Sequence, residues 1–297
     1  QDEAIANISI NPRVQVTSDS GVSIELGKGG ILYDYDYITT KSGSINKWGI
    51  VSTKKGIYYY DALNKSIGRV PDMVNQSLSD MKGMHAYFNN NYNYNLIKED
   101  NPILKQGVLF GYDAYNKDIY FTLHQGDDSF TWCYNEERDQ FIDLKKYYPS
   151  NYIYKGGKLL LSSNGSDLYE SYTGEYNKYF DTYIPSYIIL QLNPESSIDT
   201  IFNTIHYNSE LYLNDVDQPN KTLTHIQAYN EYQDSGRIPL IVGRDKNLRR
   251  KFREWKALIP RMGRNRIRNP WIYLKLELDN TSNYKLILHD IIINYSI

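Results

Sequence analysis

Residues 107–123 read GVLFGYDAYNKDIYFTL, and this stretch decides the fold class. An apolar run ends at Asp113, a polar turn DAYNK (113–117) follows, and an aromatic run DIYFTL (118–123) begins. Short runs of this kind bounded by Asp, Asn and Gly are strands joined by tight turns, because Asp and Asn side chains satisfy their own backbone there. The pattern extends in both directions. Upstream, KWGIVST (47–53) and GIYYY (56–60) meet at a Lys54-Lys55-Gly56 turn, and DALNKS (61–66) leads into residues 67–70. Downstream, QGDD (125–128) turns into SFTWCY (129–134), and residues 135–139 lead into Phe141 and Ile142. A fainter copy runs through KLLLS (158–162), the turn Asn164-Gly165-Ser166 and DLYES (167–171).

DALNKSI and DAYNKDI are the clearest self-similarity, beginning 52 residues apart at Asp61 and Asp113. Several short strands recurring at such a period is the pattern of propeller blades. The expectation is propeller-like blades over 1–183; two clear copies and a fainter third do not close a ring, so either degenerate blades lie between them or a missing N-terminal part supplies the rest. After Ile184-Pro185 the strand signals lengthen, at 187–192, 200–207, 222–229, 271–278 and 284–295. Trp271, Tyr273, Lys275 and Glu277 alternate with Ile272, Leu274, Leu276 and Leu278, a period of two with one apolar face. Residues 184–297 therefore read as an antiparallel β-sandwich-like domain, and the chain as all-β. Residues 247–259 are ambiguous. Leu248, Phe252, Trp255 and Ile259 have helical spacing, whereas Trp255, Ala257 and Ile259 alternate; the reading is a mostly extended arm with at most a short helix.

Composition narrows the classes. With 297 residues, the chain buries enough surface to need no metal or disulfide staple. The single Cys133 excludes an intrachain disulfide and a cysteine-based zinc site. No apolar run approaches the ~18 residues of a membrane-spanning helix. The chain begins at Gln1, with neither a start methionine nor a signal pattern, and is expected to be the mature or cleaved portion of something longer. Tyrosine is in excess, 30 against 8 Phe. Its ring favours strands and its hydroxyl half-wet positions, which suits large interfaces and glycan-binding surfaces equally.

Charge is unevenly spread. Residues 237–268 hold twelve Lys/Arg against Asp245 and Glu254, a local net of +10, and the chain total of −2 leaves −12 for the rest. Such a basic arm can bind nucleic-acid phosphates, with Phe252 and Trp255 stacking on bases. It can dock on an acidic surface of a neighbouring subunit through bidentate arginine pairs, or be a solvated face. The acidic remainder offers a complementary surface in every copy, which favours self-assembly.

Catalytic patterns are weak. His85, His124, His206, His225 and His289 are scattered without metal-ligand spacing. There is no GxSxG elbow, and Gly27-Lys28-Gly29-Gly30 lacks the phosphate-loop pattern and reads as a turn. Asp127, Asp128, Glu136, Glu137 and Asp139 could supply a glycosidase pair, but all sit in polar turn segments. Asp34 and Asp36 in YDYDY lack the glycine and glutamate of a calcium loop. No enzyme, metal or cofactor is expected.

Several stretches resemble the tail stabilization or muzzle proteins of crAss-like bacteriophages, which infect gut Bacteroides. They are GSINKWGIVSTKKGIYYYDA (43–62) with its continuation LNKSIGRV, SLSDMKGMHAYF (77–88), HIQAYNEYQDSGRI (225–238), NLRRKFREWKALIPR (247–261), NRIRNPWIYLKLEL (265–278) and KLILHDIIINYSI (285–297). The resemblance covers about 14–297. It implies a structural protein of the virion at the distal end of a short tail, similar in role to nozzle proteins that form six-fold rings. Such a protein extends or caps the tail channel and contacts copies of itself, other tail proteins and, transiently, DNA during ejection. Arg249, Arg250, Phe252, Arg253, Trp255, Arg264, Arg266 and Arg268 are the expected subunit contacts. The competing reading is a carbohydrate-binding or depolymerising β-propeller protein.

Overall fold

In a computed structural model, residues 3–10, 14–17, 23–26, 32–163, 167–194 and 197–297 are described. The expected turns at 27–30 and 164–166, and the side chain of Asp34, lie outside the described residues. The chain is all-β apart from a few short helical turns, and it forms two compact units, Gln1–Tyr172 and Thr173–Ile297.

The first unit begins with β1 (Ile5–Ile10), β2 (Val14–Thr17), β3 (Ser23–Leu26) and β4 (Leu32–Thr39); β1 pairs antiparallel with β4, and β2 with β3. A four-stranded meander follows: β5 (Ile50–Thr53), β6 (Gly56–Asp61), β7 (Ser66–Val70) and β8 (Gln76–Ser77), hydrogen-bonded in chain order. Then come α1 (Leu78–Met81), α2 (His85–Asn90) and α3 (Tyr94–Ile97). A second meander consists of β9 (Gln106–Asp113), β10 (Asp118–Gln125), β11 (Phe130–Asn135) and β12 (Gln140–Lys145). β13 (Asn151–Lys155), β14 (Lys158–Ser162) and β15 (Leu168–Glu170) make a three-stranded sheet. The helices fill a stretch without period-two alternation. Each sets one residue, Leu78, Phe88 or Ile97, into the core formed by the two meanders.

The recurring DAxNK segment has a definite physical cause. Asp61 Oδ1 accepts from the backbone N–H groups of Leu63 (3.1 Å) and Asn64 (3.0 Å), and its Oδ2 accepts from Asn64 Nδ2 (2.7 Å). Asp113 repeats this with Tyr115 (2.9 Å), Asn116 (3.3 Å) and Asn116 Nδ2 (2.7 Å). Lys65 and Lys117 then take left-handed φ values of 51° and 62°, returning the chain into the next strand. The turn at Asn135 is a variant, with Asn135 Oδ1 accepting from Glu137 and Arg138 and Asp139 at φ 53°. The first copy joins the second and third strands of its meander, and the second copy the first and second of the next. The 52-residue spacing therefore counts a recurring turn, not a blade period.

Part of the tyrosine excess fills the core, while most of the described rings are half-buried or exposed, as their half-wet character predicts. Tyr58, Tyr60, Tyr120, Tyr134 and Tyr207 are fully buried. Buried rings reach partners where they can: Tyr120 meets the Tyr172 hydroxyl, Tyr172 donates to Asp118 Oδ2 (2.9 Å), and Tyr152 bonds Thr122 (2.7 Å). Two glycines make room for such rings. Tyr59 lies over Gly68, its partner across the strand pair, and Tyr152 of β13 packs on Gly111 of β9; a Cβ at either glycine would meet the ring at 2.2 or 2.3 Å.

The second unit holds β16 (Lys178–Tyr179), β17 (Thr182–Tyr183), β18 (Ser186–Leu192), β19 (Thr200–Leu213), β20 (Val216–Asp217) and β21 (His225–Tyr229). It continues with β22 (Ile238–Pro239), β23 (Leu248–Lys251), β24 (Glu254–Leu258), β25 (Arg268–Asn269), β26 (Ile272–Leu278) and β27 (Tyr284–Ser296). One sheet has the order β18-β26-β21-β22. The other is built on β19, with β27 along one edge, β25, β24 and β20 along the opposite edge, and β23 beyond β24. Ile226, Ala228, Leu274 and Leu276 of the first sheet share one core with Phe202, Tyr207, Trp255 and Ala257 of the second, which makes a sandwich. The alternation at 271–278 is realised, with Ile272, Leu274, Leu276 and Leu278 buried.

Candidate functional site

The basic segment is extended, as expected, and part of it is built into a sheet rather than left as an arm. β23 and β24 form a hairpin at the edge of the β19 sheet, with Leu248 opposite Ala257, Arg249 opposite Lys256, Arg250 opposite Trp255 and Lys251 opposite Glu254. Strand alternation settles what helical spacing left open. Leu248, Trp255 and Ala257 point inward and are buried, and Arg250 lies over the Trp255 ring with its guanidinium carbon 5.3 Å from the centroid. Trp255, expected at a subunit contact, is thus a core residue of its own unit. Its indole, 1% exposed, has no surface to offer a partner or a base.

The outward face carries the charge. Arg249 and Lys256 sit directly opposite each other, like charges in a position where a pair normally attracts, and both are exposed. Phe252 begins the two-residue turn at φ 57° and is 88% exposed. That conformation usually calls for glycine, and a bulky side chain there is strained. Arg253, Arg264, Arg266 and Arg268 are exposed too. Arg266 donates to Asn203 Oδ1 (2.8 Å), Arg268 reaches Asp199 at 3.6 Å, and Arg250 bonds the Pro219 carbonyl. Among the described residues Arg249, Arg253, Lys256, Arg261 and Arg264 make no ion pair. Asn203, Ile259, Arg261 and Arg266 line a shallow cleft of about 440 Å³.

Arg237 stands apart from this surface. Its Nε donates to Glu277 (2.5 Å) and its Nη2 to Asp279 (2.6 Å), while Lys275 donates to the other Glu277 oxygen. Burial pushes the Glu277 carboxyl up, but the hydrogen bonds from Arg237 and Lys275 outweigh it and hold it below the usual range. His225 Nδ1 lies 3.2 Å from Asp279, so His225, Glu277 and Asp279 converge, a grouping hidden in the sequence by their separation. Two cations already balance the two carboxylates, a donor set suited to an ion-pair network rather than to a divalent metal.

The remaining polar candidates are dispersed. Asp127, Asp128 and Glu137 are exposed at turns. Glu136 also lies in its turn but is 3% exposed, and it accepts from Thr53 Oγ1 at 2.6 Å. Asp139 accepts from Lys82 (2.5 Å) and Tyr134, and the Lys82 hydrogen bond, then that of Tyr134, draw its carboxyl below the usual range. A cleft of about 310 Å³ in the first unit has Asp100 as a carboxylate, and Asp100 accepts from the Lys47 N–H at 2.9 Å; none of the five residues above lines it. His85, His206 and His289 pair with Asp80, Glu254 and Glu210, and buried His124 bonds the Pro149 carbonyl at 2.8 Å.

Comparison with known proteins gives consistent matches. A family model for the Crassvirus muzzle protein matches residues 1–165, and one for the Crassvirus muzzle protein C-terminal domain matches residues 174–262. The muzzle protein of Bacteroides phage crAss001 is 31% identical over 300 residues, an alignment taking in 99% of this chain and 21% of that protein. The chain thus spans about a fifth of the length of that relative. With both compact units matched, the chain belongs to the Crassvirus muzzle protein family.

Proposed function

We propose that the chain is a structural, non-enzymatic part of a phage virion, in the tail, where copies assemble into a ring that forms or caps the distal channel. Membership of the muzzle family supports the structural role and the phage setting. The four-stranded meanders are compatible with propeller blades, and the sandwich adds a second rigid module. One observation carries the contact surface. The β23–β24 hairpin opposes Arg249 to Lys256, neither of which makes an ion pair among the described residues, and ends on an exposed, strained Phe252. Each feature costs stability in the isolated subunit, and each is relieved if an anionic, partly apolar surface covers the hairpin. Arg249, Arg250, Phe252, Arg253, Arg264, Arg266 and Arg268 are therefore the proposed contact residues.

Among the described residues no helix is long and apolar enough to cross a membrane. The same cations would attract DNA phosphates in a channel, and a steep loss of DNA affinity with salt is the signature of that use. The test of assembly is the mass of full-length protein at low and high salt, by native mass spectrometry and light scattering. A discrete ring is expected, weakened by Arg249→Glu with Arg253→Glu. A ring indifferent to these reversals would remove the hairpin from the contact, and a monomer at every concentration and salt would overturn the self-assembling ring.

A further inference from the structure

The loop between β24 and β25, residues 259–267, is a built structure rather than a slack connection. Ile259 and Ile267 are buried and anchor its two ends in the sandwich core, and the Asn265 N–H donates to the Met262 carbonyl (3.1 Å) to close the turn between them. Arg261 and Arg266 of this loop line the 440 Å³ cleft together with the buried side chains of Phe202, Ile259 and Ile267. The register of β19 slips here: Phe202 pairs with Tyr295 and Thr204 with Asn294, which leaves Asn203 as the bulged residue. A bulge re-aims a side chain. Asn203 Oδ1 accepts from Arg266 Nη1 (2.8 Å), and its Nδ2 donates to Ser296 Oγ (3.2 Å). Arg266 is thus fixed by a neutral partner, with its charge uncompensated. Among the described residues Arg261 has no hydrogen-bond or ion-pair partner, and no Asp or Glu lines the cleft.

Two uncompensated guanidiniums beside an apolar wall define what fits. Donors without a carboxylate among them select an anion, and one guanidinium fork already satisfies a carboxylate, whereas a phosphate has oxygens for two. The cleft has room for more than a phosphate, and its apolar wall suits the sugar and base attached to one. Further cations continue outside it. Lys256 is exposed two residues before the cleft residue Leu258, on the same outward face of β24 and opposite Arg249. A row of cations matches a ligand with repeating phosphates. Resting on the attraction of this basic face for nucleic acid, we propose that the cleft binds one nucleotide of a single strand. Arg261 and Arg266 hold the phosphate oxygens, Asn203 is the positioning residue, and the unpaired base lies on the apolar wall. A duplex keeps its bases stacked inside and offers the cleft only its backbone.

The experiment titrates full-length protein with labelled oligothymidylate, with its duplex with oligodeoxyadenylate, and with thymidine 5′-monophosphate, by anisotropy for the strands and calorimetry for the nucleotide. The single strand should bind more tightly than either of the others. Arg261→Gln should weaken it about tenfold. Asn203→Ala should weaken it too, without any change of charge. Arg264→Gln removes an equal charge from the same loop but does not line the cleft, and it should cost less. Each variant is checked for unchanged thermal unfolding, and Arg261→Gln, which breaks no bond in the free protein, keeps the test valid if Asn203→Ala disturbs the bulge. Equal losses from Arg261→Gln and Arg264→Gln, with none from Asn203→Ala, would leave only a general basic field and overturn the site. A duplex or a mononucleotide bound as tightly as the single strand would overturn the strand as ligand. No salt-dependent binding of any probe would overturn the attraction of this face for nucleic acid altogether. Arg261→Gln weakening assembly while strand binding is unchanged would give the cleft to a neighbouring protein instead.

Discussion

Phe252 and Trp255 show how differently two aromatic residues of one short hairpin behave. Phe252 sits where the backbone favours glycine and leaves its ring in water, whereas Trp255 is sealed under Arg250 in the sandwich core. Replacing Phe252 with glycine removes a left-handed strain worth roughly 1–2 kcal/mol, so the protein should melt at the same or a higher temperature while the proposed ring assembly weakens. Trp255→Ala should instead cost about 3–5 kcal/mol, visible in denaturant unfolding of the second unit whether or not it assembles. A Phe252→Gly protein that assembled normally would remove the ring from the contact. Both residues stand out in the sequence, but which faces inward follows only from strand register. Helical spacing and period two both include Trp255, and only the pairing with Arg250 decides between them.

At the scale of elements, strands were legible and sheet assignments were not. Runs such as GIYYY and DIYFTL became β6 and β10 because aromatic and β-branched residues between Asx turns leave the backbone few alternatives. The turn similarity at Asp61 and Asp113 was equally plain, yet it misled as a period, since a turn that satisfies itself locally recurs wherever a tight reversal is needed. The helices α1–α3 were missed, being one or two turns long and marked only by isolated apolar residues that the core selects. Packing between elements also lay outside the sequence. Nothing near Gly111 announces that Tyr152 lies over it, bringing β13 against β9. Gly111→Ala forces the ring aside and should destabilise the first unit by about 1–3 kcal/mol, measured by urea unfolding. A neutral result would mean that the β13–β15 sheet shifts freely.

For the whole molecule, the reach of sequence reading followed the physics of each property. The net charge of the basic segment was readable because charge adds along the chain, and all of its Lys/Arg residues proved exposed. The opposition of Arg249 to Lys256 and the convergence of His225, Glu277 and Asp279 were hidden, because both depend on strands brought together by folding. Tyrosine is expected at half-wet positions, and most of the described rings are half-buried or exposed; a smaller set, among them Tyr58, Tyr60, Tyr120, Tyr134 and Tyr207, is sealed in the core. That core carries its own optical indicator. Burial raises the Tyr58 hydroxyl to about 12, helped by the charge of Glu136, and pushes Tyr60, Tyr120, Tyr134 and Tyr207 upward as well. In the unfolded chain the same groups ionise near 10. The native state therefore binds protons that the unfolded state has lost; this stabilisation is complete below about pH 10 and fades as pH rises through the native values. Alkaline titration followed by ultraviolet absorbance should show exposed tyrosines ionising first and reversibly, then a cooperative step in which the rest ionise as the protein opens. Tyrosinate colour would report unfolding without any attached dye, and a single smooth wave near pH 10 would mean that the rings are not sealed from water.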